Sequence, residues 1–283
     1  MKTIAYQGVK GAFSYLTALK IFGENNRFRG MQNFKEVFEL VECREAEYAV
    51  IPIENSLIGS IYENYDLLNI YEMWIIGEHF TKIEHCLLTN RSSDEQEDDR
   101  LKKIKKVLSH PKALEQCSHF FQKHPWMEAV VYMDTAAAAA EVASKKDLSL
   151  AAIASGGAAE LYGLEILKRN IEDDPKNYTR FVTITKKKDH DSQSDKCSFL
   201  LQLKHVPGAL ANMLKHFSDQ EINLTKIESR PIRGNPFEYL FYVDFEFVGK
   251  IQQDIEQLLN KICDEVQQLK ILGFYKRGTL WTS

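Results

Sequence analysis

Cysteine is scarce and badly placed for structural chemistry. Cys43, Cys86, Cys117, Cys197 and Cys263 are odd in number, widely spread along 283 residues, and form no CxxC pair. That pattern reads as free thiols in a reducing, cytoplasmic compartment rather than a disulfide framework, with Cys117 expected as a buried thiol. A basic surplus is also missing: the net charge is −4 and the Lys and Arg residues are scattered, so no nucleic-acid partner is expected. No apolar run approaches the roughly 20 residues that span a bilayer, which excludes a helical membrane anchor from the expectations. The N-terminus, Met1 to Gly8, enters a strand-like run without an apolar signal core. A complete GxGxxG fingerprint is absent, which removes the dinucleotide reading. His110, His119 and His124 lack zinc spacing, so a metal is not expected.

What is present is an ordinary globular composition, 44% hydrophobic and 27% charged, in a chain long enough for about two domains. The first half alternates short apolar runs with small-residue or polar turns. Lys2 to Tyr6 reads as a strand and Phe13 to Phe22 as a helix with Leu16, Leu19 and Phe22 on one side. Between them, Gly8-Val9-Lys10-Gly11 with Ser14 fits either a loop facing an anion or a plain tight turn. A helix at about Phe34 to Cys43 leads to the buried strand Tyr48 to Glu54 and then to Asn55-Ser56, read as a helix N-cap in the ligand position of open α/β sheets. Trp74 to Glu78 and Ile83 to Leu88 read as strands, and the polar run Asn90 to Lys106 as a solvated excursion.

Val107 to Ser109 repeats the strand-then-cap pattern, with His110-Pro111 opening a helix through Leu114, Cys117 and Phe121. His110 there could serve an anion or the helix end. Ala129 to Met133 is followed by Asp134-Thr135 capping a run of five alanines. Leu148 to Ala154 is followed by Ser155-Gly156-Gly157. Five such joints argue for parallel sheets and a cleft lined from several segments. At the end of this half stands Asn177-Tyr178-Thr179-Arg180-Phe181, entering the strand Phe181 to Thr185. Alternation along a strand sends neighbouring side chains to opposite faces, so Thr179 and Arg180 could meet one ligand only at a frayed end or turn.

Taken together, these segments resemble the prephenate dehydratase family. The resemblance is carried by Gly8 to Ser14, Ile51 to Gly59, Ser109 to Cys117, Asp134-Thr135-Ala136, Ala158 to Leu164 and Asn177 to Phe181, in order through about residue 185. It implies two α/β subdomains clasping the substrate like a periplasmic binding protein, approximately 1–76 with 155–185, and 77–154. It also implies an enzyme, a carbon–oxygen lyase that turns prephenate into phenylpyruvate without a cofactor or metal. Thr179 carries over as the catalytic hydroxyl and Arg180 as a carboxylate clamp. Ser14, Asn55, Ser56, Thr135 and Asn177 are expected as substrate-binding donors.

Lys186 to Asp195 reads as a linker. Residues 196–283 then follow a βαββαβ order, the ferredoxin-like plan. Cys197, Phe199, Leu201 and Leu203 alternate as a strand, and Phe237, Phe241, Val243, Phe245 and Phe247 share one strand face. Ile251, Ile255, Leu258, Ile262, Val266 and Leu269 form a helix stripe. Pro207-Gly208-Ala209-Leu210 and Glu228-Ser229-Arg230-Pro231 resemble ACT regulatory modules that sense phenylalanine. The resemblance implies an effector site using Gly208, Ala209, Leu210, Glu228, Ser229 and Arg230, and assembly as a homodimer or homotetramer. The expected protein is a catalytic domain, 1–185, and an ACT domain under feedback by L-phenylalanine. An arogenate dehydratase and a non-catalytic amino-acid sensor are the rival readings. With no chorismate mutase segment ahead of residue 1, a single dehydratase activity is expected.

Overall fold

The computed structural model describes residues 1–92, 96–188, 193–232 and 238–279. The chain divides into two compact units, the first built from Met1–Ile61 with Phe80–Phe181 and the second from Tyr62–His79 with Val182–Leu280. The first strand, Thr3–Gln7, pairs in parallel with Arg27–Met31 on one side and Tyr48–Asn55 on the other. The full strand order in that sheet is Arg27–Met31, Thr3–Gln7, Tyr48–Asn55, Tyr178–Thr185, Trp74–Lys82. A second sheet of the first unit has the order Glu165–Lys168, Cys86–Thr89, Leu150–Ala154, Lys106–Ser109, Glu128–Val131. Its last three strands are parallel, whereas Cys86–Thr89 runs antiparallel to both its neighbours. Strand Glu165–Lys168 pairs in this second sheet, although it follows residue 155 in the chain.

Two chain segments cross between these sheets and are bonded to each other. The Ile83 N–H donates to Asn177 O at 2.8 Å, and the Ile171 N–H donates to His85 O at 3.0 Å. Two sheets joined by a double crossing are the periplasmic-binding-protein-like plan. The alanine run lies in helix Thr135–Lys145, where Ala136, Ala137, Ala138 and Ala139 are all buried. Small side chains let this helix approach its sheet closely, the structural job their size suits.

Several local expectations change. Asn55-Ser56 caps no helix; the chain turns and Gly59–Ser60 pairs back, antiparallel, on Glu54-Asn55. Asn55 Oδ1 accepts from both the Leu57 and Ile58 N–H groups, and Gly59 takes φ +88°, so a side-chain-closed turn wins over a helix start. The excursion after Asn90 contains a helix, Glu97–Lys103, anchored by buried Arg100 and Leu101, with Arg100 Nη1 on Glu165 Oε1 at 2.6 Å. The single helix expected from Pro111 breaks into Pro111–Glu115 and Ser118–Lys123. Ile83 to His85 precedes its strand, and Trp74–Lys82 runs longer than expected.

In the second unit, strands Lys196–Gln202, Asn223–Pro231, Tyr239–Glu246 and Gln268–Tyr275 alternate with helices Ala209–Asp219 and Gln252–Glu265 in the βαββαβ order. All three pairings are antiparallel, and Asn223–Pro231 forms one edge. Phe199, Leu201, Phe217, Val243, Phe245 and Ile262 pack into one core between the sheet and the two helices. Phe241 and Phe247 join it as expected, Ile251 is 61% exposed instead, and Phe237 and residues 189–192 of the linker lie outside the described residues.

The other face of that sheet carries helix Tyr62–Ile70. Tyr242, alternating with Phe241 and Val243, packs its ring against that of Tyr65 at a tilt of 56°, centroids 4.7 Å apart, and donates its hydroxyl to Tyr65 O at 2.8 Å. Lys270 Nζ donates to Leu68 O, Asn69 O and Tyr71 O at 2.9, 3.0 and 2.9 Å. It thereby satisfies carbonyls that a helix C-terminus leaves open. Burial pushes the Lys270 ammonium down from its ordinary range.

Candidate active site

Strand order places Tyr178–Thr185 directly beside Tyr48–Asn55, and the ends of these two strands build one polar cluster. Asn55 Nδ2 donates to Asn177 Oδ1 at 2.7 Å and to Thr179 Oγ1 at 3.0 Å, with Tyr178 O at 3.2 Å. Ser56 fastens the same segment: its N–H donates to Tyr178 O, its hydroxyl to Lys176 O, and the Tyr178 N–H to its Oγ. Thr179 is 8% exposed and Asn177 is fully buried, yet Asn177 Nδ2 has no hydrogen-bond partner. A buried amide donor without a partner costs free energy on the order of 1–3 kcal/mol, so such groups are rare in folded proteins and a catalytic role is one reason for keeping them.

Arg180 stands apart from that cluster. It is 6% exposed and its guanidinium lies 3.6 Å from the Glu54 carboxylate, while the neighbours of both residues, Thr179 and Asn55, meet each other. The strand alternation therefore sends Thr179 and Arg180 to opposite faces. Phe181 shares the Thr179 face and packs with Ile4, Ala18 and Val50, next to Phe13. Helix Phe13–Phe22, with buried Ser14 and Thr17, thus covers the side of the sheet from which Thr179 and Asn177 project.

The loop before that helix is held by the second sheet's helices. Gly8 and Gly11 take φ +100° and +89°, conformations that glycine adopts without penalty. Ser155 Oγ donates to Gly11 O at 3.0 Å and the Tyr162 hydroxyl to Lys10 O at 2.6 Å. Asp134 caps helix Thr135–Lys145 through the Ala137 N–H, leaving Thr135 in its half-buried first turn. Burial pushes the Tyr6 phenol far up, helped by Tyr15, Tyr162 and Asp134, which gather around this loop. Asn55, Ser56, Asn177 and Thr179 are therefore brought together; Ser14 and Thr135 line the adjoining loop region, and Arg180 lies on the far face.

Sequence reading missed His85, in the crossing segment. Its N–H donates to Glu172 Oε2, its Nε2 meets Gln116 Oε1 at 2.9 Å, and its ring lies edge-on to Phe13. Burial pushes its pKa down, so the ring is neutral, and its buried Nδ1 has no partner. No periodicity marks a histidine between strands, so only contacts across the chain reveal it. His110 acts as a helix cap, its Nδ1 accepting from the Lys112 N–H. Cys117 is buried and its thiol pushed far up by that burial, which makes it unreactive. Among the described residues no group of His, Cys, Asp or Glu could hold a metal.

In the second unit the expected effector residues fall on two surfaces. Pro207, Ala209 and Leu210 line a cleft of about 380 Å³ with Tyr239 and Phe241. Gly208 takes φ +81° at the start of helix Ala209–Asp219. Arg230 lies in a second cavity, of about 520 Å³, with Asp66, Leu67, Leu240 and Tyr242. There its Nη2 meets Asp66 Oδ2 at 2.9 Å and its guanidinium covers the Tyr62 ring at 4.4 Å. The Tyr62 hydroxyl donates to Glu228 Oε1 at 3.2 Å. Ser229 alternates with both and belongs to the same edge strand.

A family model described as prephenate dehydratase matches residues 4–189. Arogenate dehydratase/prephenate dehydratase 2 of Arabidopsis thaliana is 38% identical over 98% of this chain and 73% of that protein. A solved structure described as GqqA, a novel type of quorum quenching acylases, is 31% identical, with a TM-score of 0.85 and 98% of each chain covered. Prephenate dehydratase of Arthrobacter aurescens in complex with L-Phe is 27% identical, with a TM-score of 0.84, covering 97% of this chain and 90% of that one. The family match covers the strands, crossings and polar cluster just described, and on that extent the chain belongs to the prephenate dehydratase family.

Proposed function

We propose that this protein is a prephenate dehydratase that forms phenylpyruvate for phenylalanine biosynthesis, with Thr179 as the group that assists the leaving hydroxyl. The observation that carries the reading is Thr179 Oγ1, nearly buried and accepting a 3.0 Å hydrogen bond from Asn55 inside the family-matched region. In the reaction the ring carboxylate leaves as CO2 and its bonding electrons move into the ring. The carbon–oxygen bond to the ring hydroxyl breaks, and that oxygen takes a proton and departs as water. Aromatisation drives both breaks, so the protein must hold a dianion, exclude water and donate hydrogen bonds where negative charge grows on the departing oxygen. An alcohol releases protons poorly near neutral pH, so Thr179 polarises or relays rather than ionises. Ser14, Ser56 and Thr135 would contact the substrate from the adjoining loops. Arg180 would act through Glu54 and the strand pairing rather than beside Thr179.

The domain scheme is a catalytic part over 1–185, a linker over 186–195 and an ACT regulatory domain over 196–283 that binds phenylalanine. It is supported by the βαββαβ order, by the Gly208 helix start and by the L-Phe complex of the Arthrobacter relative. The free edge strand Asn223–Pro231 suits edge-to-edge pairing into a homodimer or homotetramer. Among the described residues no helix is long and apolar enough to cross a membrane, and the free cysteines suit a cytoplasmic enzyme. The direct test is steady-state kinetics with prephenate and arogenate side by side. A higher kcat/KM with prephenate is expected; preference for arogenate would replace the reading with the sister activity, and inactivity on both would end it.

Feedback gives a second expectation. Phenylalanine that engages Arg230 must first displace Asp66, an ion pair of partly exposed groups worth roughly 0.2–1 kcal/mol. Asp66→Asn removes that competitor, so the half-inhibitory phenylalanine concentration is expected to fall up to about fivefold while turnover without phenylalanine is unchanged. An unchanged or raised value in the inhibition curve would show that Arg230 does not meet the effector.

A further inference from the structure

The donors and acceptors around Asn55 admit only one arrangement. Its Oδ1 accepts from two backbone N–H groups, Leu57 at 3.0 Å and Ile58 at 3.1 Å. Backbone N–H groups can only donate, so the amide cannot be turned over and Nδ2 must face Asn177 and Thr179. Two consequences follow. Of the two acceptors besides Asn177 Oδ1, Thr179 Oγ1 at 3.0 Å lies nearer Nδ2 than Tyr178 O at 3.2 Å, which already accepts from the Ser56 N–H. Thr179 Oγ1 therefore takes the second amide hydrogen, and its own hydrogen is left to point away from Asn55. Asn177 Oδ1 likewise receives a hydrogen, at 2.7 Å, so its amide nitrogen is the free end, and that nitrogen is buried with no partner.

We propose that Asn55 is a positioning residue that fixes Thr179 as a hydrogen-bond donor, and that Asn177 Nδ2 is a second donor aimed at the same substrate oxygen. The ligand chemistry is an oxygen gaining negative charge, which in the reaction above is the departing ring hydroxyl; the proposal rests on that reading of Thr179. Asn177 and Thr179 lie two residues apart, one at the entry of the strand and one within it, so both reach the same side and both lean on one amide. A hydroxyl free to rotate would spend part of its time as an acceptor, facing the substrate with a lone pair. Asn55 removes that orientation at no cost during the reaction, which is how preorganised donors act.

The discriminating variant is Asn55→Asp. It is isosteric and keeps an oxygen for the Leu57 and Ile58 N–H groups, so the turn survives. The atom facing Thr179 becomes an acceptor, which draws the threonine hydrogen inward. The expected result is a fall in kcat of about 10²-fold or more, with KM within about threefold and a cooperative melting transition still present. A merely structural role predicts a lower melting midpoint, from the bond lost to Asn177 Oδ1, with kcat kept. The second readout is a double-mutant cycle: in a Thr179→Ala background, Asn55→Asp is expected to lower kcat by less than in the parent, because the part of its effect that runs through the missing hydroxyl is gone and only the part through Asn177 remains. Independent, multiplicative losses would overturn the positioning role, as would a kcat within threefold of the parent protein. Asn177→Ala is expected to lower kcat by about 10²-fold. Unchanged turnover would remove it as a donor, and its cycle with Thr179 carries the test should Asn55→Asp not fold. A parent protein inert on both prephenate and arogenate would instead fail the functional reading, and this proposal with it.

Discussion

Thr179→Val is expected to lower kcat on prephenate by about 10²–10⁴-fold, the range that positioned proton assistance supplies, with little change in stability. Valine keeps the branched shape of threonine in the strand and removes only the hydroxyl. The asymmetry between activity and fold comes from what Asn55 has left. Its Nδ2 still has Asn177 Oδ1 at 2.7 Å and Tyr178 O at 3.2 Å, so losing Thr179 Oγ1 orphans no buried donor. The stability cost is then that of one net hydrogen bond, about 1 kcal/mol. Thr179→Ser keeps the donor and the Asn55 bond and loses one methyl group, so its turnover is expected within about tenfold of the parent, or 1.4 kcal/mol in the barrier. Turnover numbers and melting midpoints of the two variants, measured together, decide the matter. A valine variant that keeps more than a tenth of the parent kcat would show that the hydroxyl takes no part in the chemistry.

Sequence showed most elements but not how they meet. The strands around Ala5, Val50, Ala152 and Phe245 could be read because their apolar runs are buried, and helix Phe34–Glu42 because its apolar positions recur at helical spacing. Arg27–Met31 could not be read: its side chains are exposed or half-buried, and only pairing with Thr3–Gln7 makes it a strand. Helix Tyr62–Ile70 hid for a related reason, since its partner is the face of a sheet formed more than a hundred residues later. Asn55 was legible as a polar residue after a strand, but an Asn there can close a turn or start a helix, and the choice fell to Leu57, Ile58 and Gly59. The separation of Thr179 from Arg180 follows from alternation alone. The meeting of Thr179 with Asn55, 124 residues away in sequence, does not.

Glu78→Gln is expected to destabilise the second unit by about 3–5 kcal/mol, the cost of removing one partner from a buried ion pair. Lys196 Nζ and Glu78 Oε2 are 2.8 Å apart, with side chains only 6% and 1% exposed. Glu78 lies in strand Trp74–Lys82 and Lys196 opens strand Lys196–Gln202, so the pair joins two segments more than a hundred residues apart. The Gly278 N–H also donates to Glu78 Oε1 at 3.0 Å, a bond that glutamine can keep. What glutamine cannot do is balance the lysine charge, and an ammonium left alone in a poorly solvated site is costly. For a chain of this size the loss corresponds to a fall in melting midpoint on the order of 10 °C. The paired variant Glu78→Leu with Lys196→Met removes both charges, and replacing a buried pair with apolar groups is often neutral. Its midpoint is therefore expected well above that of Glu78→Gln. Calorimetry on the three proteins separates the cases: a Glu78→Gln midpoint within about 2 °C of the parent would mean that water reaches Lys196 and the pair contributes little. A paired variant no better than the single one would mean that losing the Gly278 bond, which leucine cannot make, offsets the relief of removing the unpaired charge.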